Sequence, residues 1–168
     1  MLSLNNMKNI SIIFLILMIV WVLLNNTFQF NILIPGIIIA LIISLLMCRS
    51  CDIFSEMKFT PKSIAYTFIY LGVFFIDLLK SNMDVTRRVL SPSLPINPGI
   101  VEVKTKLKSK FARMLLANSI TLTPGTLTVD VKEDSFFIHW IDVEEDEIEK
   151  ASKKIVEKFE KYLEVIYG

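Results

Sequence analysis

The sequence holds one histidine, two cysteines and five glycines in 168 residues. One histidine cannot build a metal site, and two cysteines are too few for a disulfide scaffold. With so little glycine there is no phosphate cradle of the kind that strings several glycines before a lysine. Charge is scarce in the first half: residues 1–98 carry seven Lys/Arg and four Asp/Glu, against eleven and thirteen in residues 99–168. Apolar runs of twenty or more residues are missing as well. What is present is apolar mass, 53% of the chain, where soluble domains hold about 45–50% with glycine included. The chain therefore divides near Pro98 into a greasy, slightly basic half and a charged half.

The runs Ile10–Leu24 and Ile32–Cys48 contain 15 and 17 residues, at or below the short end for crossing a hydrocarbon core of roughly 30 Å. Local thinning of the bilayer accommodates such thin spans. The opening MLSLNNMKNISIIFLILMIVWVLL has a signal peptide's basic start, but no small-residue cleavage pattern follows, so it reads as a retained membrane segment. Pro35 and Gly36 fall near the first turn of the second run, where proline is tolerated. The uncharged link NNTFQFN makes the two runs an antiparallel hairpin. A third run, Ile64–Leu79, lies between Lys58 and Lys62 on one side and Lys80, Arg87 and Arg88 on the other. Positive charge on both sides favours the cytoplasm at both ends, and Lys8 and Arg49 agree. The count supports two spans and a third helix at the membrane surface, or entering only partway, over three spans.

SPSLPINPG (residues 91–99) cannot continue a helix and reads as an extended linker over 91–98. After it, Ile100–Val103 suits a strand, and Thr105–Asn118 places Leu107, Phe111, Met114 and Leu115 at helical spacing. Ser135–Ile141 suits a strand. From Val143 an acidic first turn opens a helix with Ile148, Ala151, Ile155, Phe159 and Leu163 on one face. The expected architecture is a membrane α-helical hairpin plus a membrane-associated third helix (apolar helices about 10–24, 32–48 and 64–79 within a membrane region 1–90), followed by a small cytoplasmic α+β domain over 99–168.

The hydroxyl-rich stretch ANSITLTPGTLTVDV (residues 117–131) invites a catalytic reading. Thr123-Pro124-Gly125-Thr126 instead matches a type II turn, in which proline presets the first central residue and glycine takes the positive φ of the second. On strand spacing Leu127, Val129 and Val131 point one way and Thr126, Thr128 and Asp130 the other, so the stretch reads as a helix end running into two strands around the turn. A serine nucleophile would need a base, and His139 sits on a strand face with Phe137 and Ile141, where an ordinary half-exposed histidine is the default. Cys48-Arg49-Ser50-Cys51 has C-x-x-C spacing but no second pair or redox context, and interfacial cysteines are the plainer reading. Asp77, the one acid inside an apolar run, is a candidate for an ion route or, with Lys80 three residues on, for a pair on one helix face. Lys104, Lys106, Lys108, Lys110 and Arg113 suit anionic headgroups or a solvated face; without interleaved aromatics they do not suit nucleic acid. Glu149–Lys153 and Glu157–Lys161 are ordinary i,i+4 surface pairs.

ANSITLTPGTLTVDV followed closely by FFIHWID strongly resembles the E-type component of the multisubunit monovalent cation/proton antiporters of the Mrp or Mnh type. Asn118, Ser119, Thr121, Thr123, Pro124, Gly125, Thr126, Thr128 and Asp130 fall on the motif, and the order of elements agrees over nearly the whole chain. The resemblance implies a cell-membrane complex that exchanges Na⁺ or another monovalent cation for protons, with other membrane subunits as partners and the lipid bilayer around it. It also implies ions handled by the complex as a whole; the residues themselves call for no cofactor and no metal. Related modules occur in hydrogenase-type membrane complexes. The chain has no set of intramembrane charges, which gives it an accessory, assembling role and no catalytic site of its own. A membrane-tethered adaptor and a redox protein using CRSC are the competing readings.

Overall fold

The computed structural model describes residues 4–47, 56, 58, 60–145 and 147–168. Cys48 and Cys51 lie outside them. The chain forms two compact units, Met1–Met57 and Lys58–Gly168.

In the first unit, α1 (Leu4–Asn25) and α2 (Phe30–Met47) pack as a hairpin. Both start before the apolar runs do. Pro35 consequently lies in the second turn of α2, where it removes a ladder bond rather than an N–H that would be unpaired anyway. Gly36, Ala40 and Ser44, four residues apart, form the buried stripe of α2; Asn9 and Ile13 are buried on α1. Small residues let helix backbones approach where lipid tails provide no apolar drive for association. The approach is close: a Cβ on Gly36 would stand 2.5 Å from Trp21 Nε1, and that indole N–H donates to Ile32 O at 3.0 Å. Around this seam both helices expose leucine and isoleucine on every other side.

The second unit opens with α3 (Pro61–Leu90). Thr60 caps it, its hydroxyl accepting from Ser63 N at 3.1 Å, and Pro61 occupies the first turn. Next come β1 (Gly99–Lys104), α4 (Lys110–Leu122), β2 (Thr126–Lys132), β3 (Ser135–Trp140), α5 (Ile148–Ile155) and α6 (Glu157–Tyr167). The strands form one antiparallel sheet in the order β1-β3-β2. Val103, Phe136 and Ile138 on one sheet face are buried, as are Leu116, Ile120, Ala151, Ile155, Phe159 and Leu163 of the helices. Ile100, Leu127 and His139, in register across the other face, are exposed.

Some finer expectations need correction. By sequence α3 groups with the membrane helices; by its contacts it falls in the second compact unit, packed along α6. α1, α2 and α3 are all long and apolar enough to cross a membrane. α4 begins at Lys110 because Ser109 caps it, the hydroxyl accepting from Ala112 N at 3.0 Å. Its buried stripe is therefore Ala112, Leu116, Ser119 and Ile120, while Met114 is exposed and Leu107 is buried in the preceding loop. The segment 91–98 is more than a linker: Asn97 bridges to Asp142, and Asn97 N donates to Ile141 O at 3.1 Å.

Candidate functional site

α4 continues to Leu122, so Pro124-Gly125 joins a helix to a strand rather than two strands. The β2–β3 hairpin turns instead at Glu133, whose φ is +50°. The predicted turn geometry is present. Gly125 has φ +93°, and Thr126 N donates to Thr123 O at 3.3 Å, as a type II turn requires. Gly125 O then accepts from Ile141 N at 2.8 Å, fixing the turn to the end of β3. A side chain on Gly125 would need both a positive φ and space where Ile141 Cγ2 lies 3.0 Å away.

The threonines face the core side of the sheet. Thr126 is in register with Trp140 and Thr128 with Ile138, and a bulge at Val129 then puts Asp130 opposite Phe137 and Val131 opposite Phe136. The simple alternation of Leu127, Val129 and Val131 is thus broken: Leu127 and Asp130 share the outer face, and Val131, still exposed, falls on the face of Phe136. Each hydroxyl meets α4. Thr126 Oγ1 donates to Ile120 O at 2.7 Å, Thr128 Oγ1 to Ala117 O at 3.1 Å, and Thr123 Oγ1 to Ser119 O at 2.8 Å; Thr121 Oγ1 accepts from Thr128 N at 3.2 Å. These bonds tie the last turns of α4 to the motif turn and to β2. Ser119 bonds Leu115 O at 2.8 Å and also meets the Tyr70 hydroxyl of α3. Asn118 is exposed, and Asp130 accepts from Val131 N at 2.8 Å.

Beside the turn lies a cleft of about 230 Å³ whose walls include Lys80, Arg88, Thr123, Gly125, Asp142 and Lys154. Arg88 holds it together: its guanidinium donates to Asp84 and Asp142 at 2.7 Å each and to Pro95 O at 2.8 Å. One side chain thereby joins α3, the proline segment and the end of β3. Asp77 pairs with Lys158 of α6 at 2.6 Å and not with Lys80. The reason is azimuth: Asp77 lies on the stripe of α3 that faces α6, whereas Lys80 is exposed and makes no ion pair among the described residues. Elsewhere in the unit, burial pushes the Tyr167 phenol up, with the nearby Tyr70 adding to it. In the cleft the carboxylates of Asp84, Asp142 and Glu144 have cationic partners and the threonine hydroxyls are engaged on backbone. No nucleophile–base pair emerges from this set; its bonds join α3, the proline segment and the end of β3.

The family model for a Na⁺/H⁺ ion antiporter subunit, MnhE, matches residues 14–166. The chain belongs to this family. It is 35% identical to the E-type Na⁺/H⁺ antiporter subunit of Alkalihalophilus pseudofirmus over 149 residues, 88% of this chain and 90% of that one. It is 34% identical to the putative antiporter subunit MnhE2 of Staphylococcus haemolyticus, covering 80% and 84% of the two chains. Among solved structures, a chain of the membrane-bound sulfane sulfur reductase, an archaeal respiratory membrane complex, superposes with a TM-score of 0.82 at 41% identity, covering 95% of this chain and 99% of that one.

Within this member of the MnhE family, two residues carry structure that sequence reasoning missed. Arg88 was visible only as one more positive charge after an apolar run; its i,i+4 spacing from Asp84 was the available signal. Glu160 is buried and accepts from Thr105 Oγ1 at 2.5 Å and Lys106 N at 2.6 Å, fixing the loop before α4. Nothing local in EKFEKYLE marks Glu160 among its neighbouring acids.

Proposed function

We propose that the chain is an accessory and assembly subunit of a multisubunit monovalent cation/proton antiporter in the cell membrane, supporting Na⁺ efflux in exchange for protons. The family match over residues 14–166 carries this reading. The membrane helices support the accessory role: α2 has no charged residue and α1 has Lys8 alone, whereas ion routes through membranes are lined by ionisable groups. On this reading α1 and α2 anchor the subunit among its partners, and the domain of residues 99–168 lies in the cytoplasm. The motif turn and the Arg88 cleft brace that domain and present it to neighbouring subunits. Tagged chain extracted in mild detergent from its own cells should bring several small membrane subunits and two very large ones with it. Recovery of the chain alone would overturn the assembly role.

Asp77 belongs to the bracing, through Lys158. Asp77→Asn should leave cation/proton exchange in everted vesicles unchanged where assembly is intact; abolished exchange with intact assembly would place it on an ion route.

A second reading, a place in a respiratory complex, is favoured by the likeness to the sulfane sulfur reductase chain. Copurification of sulfane sulfur reductase activity with the tagged chain, and unaltered Na⁺ tolerance in a deletion strain, would select it.

A further inference from the structure

The two faces of α3 differ sharply. At 100° per residue, Ser63, Tyr66, Tyr70, Phe74 and Asp77 form a stripe that α6 covers from end to end. Ser63 Oγ donates to Val165 O at 3.4 Å, Tyr66 packs on Tyr162 with centroids 6.3 Å apart, Tyr70 and Phe74 pack on Phe159, and Asp77 meets Lys158. The opposite stripe, Ile64, Phe68, Phe75 and Leu79, is 48%, 70%, 58% and 52% exposed. Between Ile64 and Leu79 the exposed residues include no charge. Lys62, Lys80 and Arg87 fall together on one border of that apolar face, all exposed.

We propose that α3 lies along the membrane surface in the headgroup–acyl boundary, with Ile64, Phe68, Phe75 and Leu79 in lipid and Lys62, Lys80 and Arg87 on anionic phospholipid headgroups. This rests on α1 and α2 being spans and is independent of which complex the subunit serves. Three observations choose lipid as the occupant. The same chain carries α1 and α2, both long and apolar enough to cross a membrane. The basic border is complementary to anionic headgroups, and long basic side chains reach them from an interfacial helix while their stems stay with the apolar face. What covers the other face argues against a perpendicular span. α6 runs beside residues 63–77 and carries Glu157, Lys158, Lys161 and Glu164, which would then be drawn into hydrocarbon. A helix parallel to the surface keeps α6 on the aqueous side.

The proposal fixes depth. Ile64 and Leu79 are about 22 Å apart at 1.5 Å rise per residue, so a span places them at very different depths and an in-plane helix at one. In full-length chain with Cys48 and Cys51 changed to Ser, single cysteines at 64, 68, 75 and 79 are spin-labelled in membranes containing the assembled complex. Oxygen and a water-soluble nickel chelate then report the depth of each label, with labels at Leu15 and Ile38 as references for α1 and α2. The expected result is one shallow depth, about 5–10 Å below the headgroups, at all four α3 sites, and greater depth at the references. Shallow references would indict the reading of α1 and α2 as spans, and with it the proposal. Deep references with a graded depth from 64 to 79 would make α3 a span. Sites closed to both probes would mean that a partner subunit covers the face, and sites open only to nickel that the helix lies in water; each overturns the proposal. In vesicles of the reconstituted chain, Lys62→Gln with Lys80→Gln should raise the nickel accessibility of labels at 64 and 79 when phosphatidylglycerol is present and leave it unaltered in phosphatidylcholine alone. No difference between the two lipids would remove the headgroup part of the claim.

Discussion

α2 and α3 meet the same test of length and apolarity for crossing a membrane, yet they are built differently. α2 is apolar all round, interrupted only by the stripe of Gly36, Ala40 and Ser44 against which α1 packs. α3 is divided lengthwise, aromatic and hydrogen-bonded toward α6 and bare on the other side. Composition shows part of the difference, since α2 carries no charge and α3 carries Lys62, Asp77, Lys80, Asp84, Arg87 and Arg88; the azimuth of the polar and aromatic residues shows the rest. α2 holds its neighbour by being small, and α3 by being large.

The largest way to break that contrast is Gly36→Leu. With a Cβ already 2.5 Å from the Trp21 ring nitrogen, the helices must part, and a loss of about 4 kcal/mol or more belongs to overpacking this severe. Native gels of solubilised membranes should show the assembled complex gone while α3's docking survives in limited proteolysis. Phe159→Ala attacks the other kind of packing. It empties a fully buried position against Tyr70 and Phe74, should cost about 3–4 kcal/mol, and should expose residues 58–90 to protease with the α1–α2 hairpin unaffected. Arg88→Ala leaves Asp142 and Pro95 O without their donor and should lower stability by about 2 kcal/mol in thermal unfolding. Arg88→Lys should recover little, because an ammonium cannot reproduce the three-way fork. The smallest expected effect is Gly125→Val, about 1–2 kcal/mol of backbone strain, read as weaker subunit recovery with unaltered cation preference.

The sequence made much of this visible where the signal is periodic or compositional. The runs Ile10–Leu24 and Ile32–Cys48 correspond to α1 and α2, the strands near 100 and 135 are present, and four of the five residues assigned to the inner face after Val143 are buried, Ile148 being exposed. Pro124-Gly125 marked its turn because only certain residues accept that backbone. Other features were hidden for physical reasons. The start of α4 depended on a serine cap that shifts the buried stripe from Met114 and Leu115 to Leu116 and Ser119. The bulge at Val129 reverses the facing of every later residue in β2, and one inserted residue leaves no periodic trace. Of the candidate residues, Asp77 did acquire a partner, but from a helix 81 positions on, a distance at which local spacing carries no information.

That distance has a kinetic side. Lys58 and Ser63, near the start of α3, meet residues 110 and 102 positions later, and α6 ends at Tyr167 of a 168-residue chain. At about 5–20 residues per second of synthesis, α3 waits some seconds for the element that covers it. During that interval it is an apolar helix whose α6-facing stripe is bare as well, though less apolar than α1 and α2. α6, translated well after α3, thus determines which side of α3 stays uncovered.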